Sequence, residues 1–148
     1  MEIRDATIED MDAILKMGRE FFETTYYAGI APFCEDTASN LIKIILDTGV
    51  LKLAIIDGEY CGMIGLVMFP FAFNARVNSA HEVFWYTSPD IRGAGIAKAL
   101  MNAAEQECLL KGAVSIQMGT LATSPPQAAK LYESLGYKLE ETSYVKVV

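Results

Sequence analysis

The residues of this chain best suited to chemistry are the run Arg92-Gly93-Ala94-Gly95-Ile96-Ala97, which opens an amphipathic stretch reaching Lys111. A strand that feeds a glycine-containing turn at the start of a helix aims several backbone N–H groups, and the positive end of the helix dipole, at one point. The chemistry of such a turn is anion binding. Gly93 and Gly95 carry no Cβ to hold phosphate oxygens off the backbone, and Arg92 adds a charge that persists at any working pH. A glycine-rich turn of this kind also serves as plain punctuation between a strand and a helix. Other phosphate motifs fit poorly: the chain has no G-x-x-x-x-G-K-[ST], and the turn is neither G-x-G-x-x-G nor part of the first strand–helix pair.

The elements that must position this turn follow from periodicity. Glu2 to Asp5 reads as a short extended segment, and Thr7-x-x-Asp10 as a capping box opening a helix with Ile8, Met11, Leu15, Gly18 and Phe22 on one side. A second helix carries Ala38, Leu41, Ile42 and Ile45 and stops at Gly49. Val50 to Ile56 is β-rich, Asp57-Gly58 signals a type I′ hairpin, and the returning strand from Glu59 to about Phe69 is apolar on both faces, ending at Pro70. After a loop from Asn74 to Ala80, His81 to Thr87 is a fourth strand closed by Ser88-Pro89-Asp90. The helix from Ile96 to Lys111 turns Ile96, Leu100, Ala103 and Leu110 inward. Gly112 caps it, Val114 to Gly119 is strand-like, Gln127 to Leu135 is helical, and Tyr144 to Val148 is extended. The order is β-α-α-β-β-β-α-β-α-β, a mixed sheet with helices on both faces.

Length and composition bound the function. A chain of 148 residues that is 52% hydrophobic suits one domain spanning 1–148, with no repeat and no linker to divide it. The net charge of −7 argues against a nucleic-acid partner and favours a cationic one. Cys34, Cys61 and Cys108 form no C-x-x-C pair and His81 is the lone histidine, so neither a disulfide framework nor a metal site is encoded, and a reducing cytoplasm is expected. Glu2, Arg4 and Asp5 stand where a signal peptide has its apolar core, and the stretch Cys61 to Phe73 is too short to span a bilayer, so no membrane role is expected.

Two motifs then make the turn specific. Thr87-Ser88-Pro89-Asp90-Ile91-Arg92-Gly93-Ala94-Gly95-Ile96-Ala97 resembles the V-x-P-x-x-[QR]-x-x-G-x-[GA] signature of the GCN5-related N-acetyltransferases, the GNAT family. Downstream, Ala128-Ala129-Lys130-Leu131-Tyr132-Glu133-Ser134-Leu135-Gly136-Tyr137 is similar to that family's A-x-x-L-Y-E-x-x-G-[FY] segment, at the distance one strand and its connections require. The resemblance covers nearly the whole chain. It implies an α/β (α+β) fold with a mixed, mostly antiparallel sheet of about six to seven strands, splayed between strands four and five.

It also implies an acyl-CoA-dependent N-acyltransferase that moves acetyl from acetyl-CoA to a primary amine by direct attack through a tetrahedral intermediate. The backbone of Trp85, Tyr86 and Thr87 would pair with the pantetheine arm as an added strand, and the pyrophosphate would lie on the N–H groups of Arg92, Gly93, Ala94, Gly95, Ile96 and Ala97. Tyr132 matches the family tyrosine that protonates the departing thiolate or binds its sulfur; as one of Ala128, Tyr132 and Leu135 on a single helix face it also reads as a core aromatic. The acceptor amine, with a pKa of about 10.4 if lysine-like, needs help to lose a proton at pH 7. Glu82 lies where the family often places a base, and Val83 and Phe84 would raise its pKa by desolvation; His81 and a water relay are the rivals, with strand alternation placing 81 and 82 on opposite faces.

Phe22, Tyr26, Tyr27, Phe33, Phe69, Phe71 and Phe73 either line an acceptor pocket or pack the core. The chain departs from the family at Pro125, where an asparagine is frequent, and in a tail after Tyr137 that is short for two final strands, which points to an open acceptor site admitting a small-molecule or peptide amine. Many relatives are homodimers. A non-catalytic acyl-CoA sensor would keep the turn while Glu82 and Tyr132 did nothing, and an unrelated α/β interaction domain would not bind coenzyme A at all.

Overall fold

A computed structural model describes residues 1–91 and 95–148. Among these, strands β1 (Glu2–Asp5), β2 (Val50–Ile56), β3 (Glu59–Phe71), β4 (Asn74–Thr87) and β5 (Ala113–Gln117) form one sheet in the order β1-β2-β3-β4-β5. The first three pairings are antiparallel and β4–β5 is parallel. Helices α1 (Met11–Glu23) and α2 (Glu35–Thr48) cover one face, where Ile14, Met17, Ile42 and Ile45 pack on Leu51, Leu53, Met63, Phe84 and Tyr86. Helix α3 (Ile96–Leu110) covers the other with Ile96, Leu100, Met101, Ala104 and Cys108, joined by Tyr132 of α4 (Gln127–Ser134). No helix among the described residues is long and apolar enough to cross a membrane.

The start of the chain is pinned by charge. Asp10, buried at 4% exposure, accepts two bonds from the Arg4 guanidinium at 2.8 and 2.7 Å, one from the Tyr60 hydroxyl at 2.7 Å and one from the Thr7 N–H at 2.8 Å. These bonds tie β1, the entry to α1 and β3 together, and the Arg4 bond foremost holds the Asp10 carboxyl far below the usual carboxylate range. The capping-box pairing of Asp10 with Thr7 is present, but it opens a 3-10 turn over Ile8–Asp10 before α1 begins. That turn shifts the buried stripe: Ile14 and Met17 face the sheet, while Ile8 is exposed and Met11, Leu15, Gly18 and Phe22 lie at the margin. The inward face of α3 keeps Ile96 and Leu100 and is completed by Met101, Ala104 and Cys108, while Leu110 is exposed.

Three further expectations are corrected. The β2–β3 hairpin turns on Asp57 and Gly58 at φ 51° and 82°, as the sequence requires, but β3 does not stop at Pro70. Its ladder to β2 ends at Val50↔Leu66, so beyond that point one edge of β3 needs no donor and a proline is tolerated. The segment Asn74 to Ala80 is strand rather than loop, because the extended β3 offers partners such as Pro70↔Asn78 and Phe69↔Ser79 to residues with no β signal of their own. Finally, Tyr144 to Val148 joins no strand, so the sheet has five strands among the described residues in place of six to seven; Leu139 and Tyr144 are 87% and 95% exposed.

Candidate active site

The site is set by a bulge in β4. Gly65 pairs with Phe84 and Leu66 with Glu82, leaving Val83 as an extra residue. Gly65 makes the bulge possible, because a Cβ there would come within 2.5 Å of the Phe84 ring. Val83 and Phe84 consequently both pack toward α1 and α2, and Trp85 turns to the face of α3 and Tyr132. The β5 ladder covers Asn78 to His81 of β4 and ends at Gln117, while β4 runs on to Thr87. This is where the two parallel strands part.

Glu82 and Tyr132 meet at one residue, Gly119, beyond the end of β5. The Gly119 N–H donates to the Glu82 carboxylate at 3.1 Å, and the Tyr132 hydroxyl donates to the Gly119 carbonyl at 2.7 Å. Glu82 keeps some surface, yet its carboxyl is closely surrounded by protein; burial pushes its pKa up from 4.5 to about 7, and the Gly119 N–H offsets only part of that rise. Tyr132 is driven well above the usual phenol range, first by burial and then by the charge of Glu82 and by Tyr137. Its ring stands 5.5 Å from Trp85 and 6.0 Å from Tyr137, whose hydroxyl bonds Glu105 at 3.0 Å.

His81 goes elsewhere. Its ring lies 4.4 Å from that of Phe69, away from Tyr132. Tyr86 also turns to the opposite face, donating to Glu20 of α1 at 2.6 Å, and Thr87 is buried opposite Gly62. Trp85 is half-buried, and its indole Nε1 is the one buried side-chain polar atom among the described residues without a hydrogen-bond partner. After a 3-10 turn at Pro89–Ile91, Gly95 caps α3 at φ 78° in the left-handed region, followed by buried Ile96 and by Ala97. Arg92, Gly93 and Ala94 lie outside the described residues.

One participant escaped the sequence, and a second, Tyr27, was legible only as an aromatic of the pocket or the core. Gly119 reads in the sequence only as the end of a strand, although its N–H and its carbonyl each bond one of the candidate catalytic groups. Tyr27 sits in a 3-10 turn, Tyr26–Gly29, whose N-terminal Thr25 side chain accepts its N–H; burial, Tyr26 and the charge of Glu82 raise its pKa, which puts it within electrostatic reach of Glu82. Neither contact leaves a signature in local spacing, since Tyr27 and Glu82 belong to distant elements. At the other end, Pro126 precedes α4 and the Ala128 N–H returns to the Pro125 carbonyl at 3.0 Å, so the two prolines start the helix.

Comparison with known proteins places these features in a family. The model of the acetyltransferase (GNAT) family matches residues 14–137. By sequence, no curated protein gives a significant match. In fold, the chain is similar to a ribosomal-protein-alanine N-acetyltransferase from Brucella melitensis biovar Abortus 2308, with TM-score 0.74, 18% identity and 99% of each chain covered. It is also similar to a transcriptional regulator from Bacillus halodurans C-125, with TM-score 0.76, 22% identity and 98% of this chain and 97% of that one covered. A predicted acetyltransferase from Clostridium acetobutylicum, solved with acetyl-CoA, gives TM-score 0.75 at 16% identity over 99% of this chain and 95% of that one.

Proposed function

From the premise that the chain belongs to the acetyltransferase (GNAT) family, we propose that residues 1–148 are a single N-acetyltransferase domain that moves acetyl from acetyl-CoA to a primary amine. The observation that carries this reading is the meeting of Glu82 and Tyr132 on Gly119, one at its N–H and the other at its carbonyl, with the Glu82 carboxyl at a pKa of about 7. A base is most effective when its pKa lies near the operating pH, and an ordinary glutamate is far too acidic to accept an ammonium proton.

The coenzyme supplies an acetyl group activated as a thioester. Its arm fits the stretch of β4 at Trp85, Tyr86 and Thr87 beyond the β5 ladder, and its pyrophosphate fits the start of α3, where Gly95 holds the left-handed turn and Ile96 and Ala97 present early helical N–H groups. Glu82 takes a proton from the acceptor amine as the new C–N bond forms. The Tyr132 hydroxyl, which donates to the Gly119 carbonyl in the free protein, would have to leave that bond to donate to the coenzyme sulfur. Because its pKa is raised well above the roughly 8.5 of a thiol, full transfer of its proton to the thiolate runs uphill while Glu82 is charged; a hydrogen bond to sulfur is the favoured role. Once Glu82 has taken the amine proton, the negative charge that helps hold Tyr132 protonated is gone, and donation becomes easier.

The acceptor is a cationic small-molecule or peptide amine, in keeping with the net charge of −7. The free cysteines suit a reducing cytoplasm, and a homodimer is in keeping with the family. The test is release of free thiol from acetyl-CoA across a panel of primary amines. Acceptor-dependent release supports the transferase; tight acetyl-CoA binding with no acceptor-stimulated release replaces it with a sensor that reads the coenzyme.

A further inference from the structure

Trp85 carries a donor for which the described residues supply no acceptor. Its indole Nε1 is buried and unpartnered, while the polar groups around it are satisfied: Tyr132 on Gly119, Tyr137 on Glu105, Glu82 on the Gly119 N–H. A buried N–H with no partner forfeits its hydration for nothing in return, and such groups are rare in folded proteins. A phenylalanine or leucine would fill the same space without that cost.

The position of the residue indicates what the donor is for. The bulge at Val83 turns the indole to the face shared by Ile96, Leu100 and Tyr132, with its ring 5.5 Å from that of Tyr132. It stands on β4 four residues past His81, where the β5 ladder ends, which is the stretch assigned above to the coenzyme arm.

We propose that the Trp85 indole N–H donates a hydrogen bond to a carbonyl oxygen of the acyl-CoA arm, making Trp85 a side-chain determinant of coenzyme binding in addition to its backbone role. This rests on the acyl-CoA reading. The candidate acceptors are the pantetheine amide carbonyls and the thioester carbonyl, which share one chemistry. As the N–H is covered in the folded chain, the ring must turn for the oxygen to reach it. Trp85 is the only tryptophan in the sequence, so its emission reports that turn directly.

The test begins with titration of the wild-type protein with acetyl-CoA and with free CoA, followed by tryptophan emission and by calorimetry. Trp85→Phe removes the donor genetically, and Trp85→benzothienylalanine removes it while keeping the shape of the ring. The isostere is expected to leave the melting temperature of the protein alone unchanged or raised, because no hydrogen bond is lost, and to weaken coenzyme binding about five- to tenfold. Equal weakening for CoA and acetyl-CoA assigns the acceptor to a pantetheine amide, and weakening confined to acetyl-CoA assigns it to the thioester. Unchanged affinity for both ligands in the isostere overturns the proposal while wild-type binding leaves the acetyltransferase reading standing. Absence of any binding by the wild type overturns both.

Discussion

Replacing Glu82 by glutamine tests the core of the site in a way that does not require the acceptor to be known. In the folded chain the carboxyl holds its proton up to a pKa of about 7, whereas the unfolded chain releases it near the ordinary 4.5. Between those values the folded state binds more protons, so wild-type stability falls as pH rises from about 4.5 to about 7 and is level above that. At ~1.4 kcal/mol per tenfold the whole loss is about 3 kcal/mol. Glu82→Gln cannot ionise, and its side-chain carbonyl still accepts the Gly119 N–H that the carboxylate accepts. The variant should therefore match the wild type near pH 4.5 and exceed it above pH 7 by about 3 kcal/mol, roughly 6–12 °C in melting temperature for a chain of this size. Thermal unfolding of both proteins from pH 4.5 to 8.5 reads the difference. A gap between the two that does not grow with pH would show that the carboxyl is not desolvated, and the base assignment would lose its physical ground. With an acceptor in hand, wild-type kcat/KM should rise about tenfold per pH unit below 7, and the variant should lose that limb together with ~10²–10⁴ of the rate.

Tyr132→Phe should lower kcat by about ten- to a hundredfold with little change in coenzyme affinity, as expected for one hydrogen bond to developing charge; a change confined to KM would return Tyr132 to a packing role. Gly95→Glu should abolish the thermal stabilisation given by coenzyme A, because φ 78° strains any side chain and the new carboxylate would stand at the proposed phosphate site. Gly95→Ala isolates the strain, and stabilisation lost equally in both variants would leave the anion site unsupported. Asp10→Asn should cost about 2–4 kcal/mol at pH 7, since Arg4 and Tyr60 lose their anionic partner. The Asp10 carboxyl is held low in the fold, so its contribution is fully present above the ordinary 3.8 and lost as pH falls below it. Urea unfolding at pH 7 and pH 3 should show the gap between variant and wild type closing in acid.

Much of the architecture is local and was legible as such. The Asp57-Gly58 turn, the helix ends at Gly112 and Gly136 with φ 84° and 89°, and the proline start of α4 follow from backbone preferences of single residues. The expectations that failed depended on partners. The stretch from Asn74 to Asn78 is mostly polar and becomes strand only because β3 extends alongside it, and the buried stripes of α1 and α3 are those that meet the sheet, which periodicity alone located only in part. The tail has the β-branched composition of a strand but no edge to pair with in this structure.

The sequence by itself determined the family, through two motifs in register, and the identity of the candidate groups Glu82 and Tyr132. It did so through the resemblance those motifs carry, because a motif is a property of neighbouring residues; the helix face of Tyr132 by itself reads equally as core. Only the tertiary structure decided what those groups are to one another. The unpaired Val83 turns Trp85 toward Tyr132, the end of β5 brings Gly119 between Glu82 and Tyr132, and the packed surroundings lift the Glu82 carboxyl to a pKa of about 7. Desolvation and hydrogen bonding are sums over whatever the fold brings near, and no spacing along the chain encodes them.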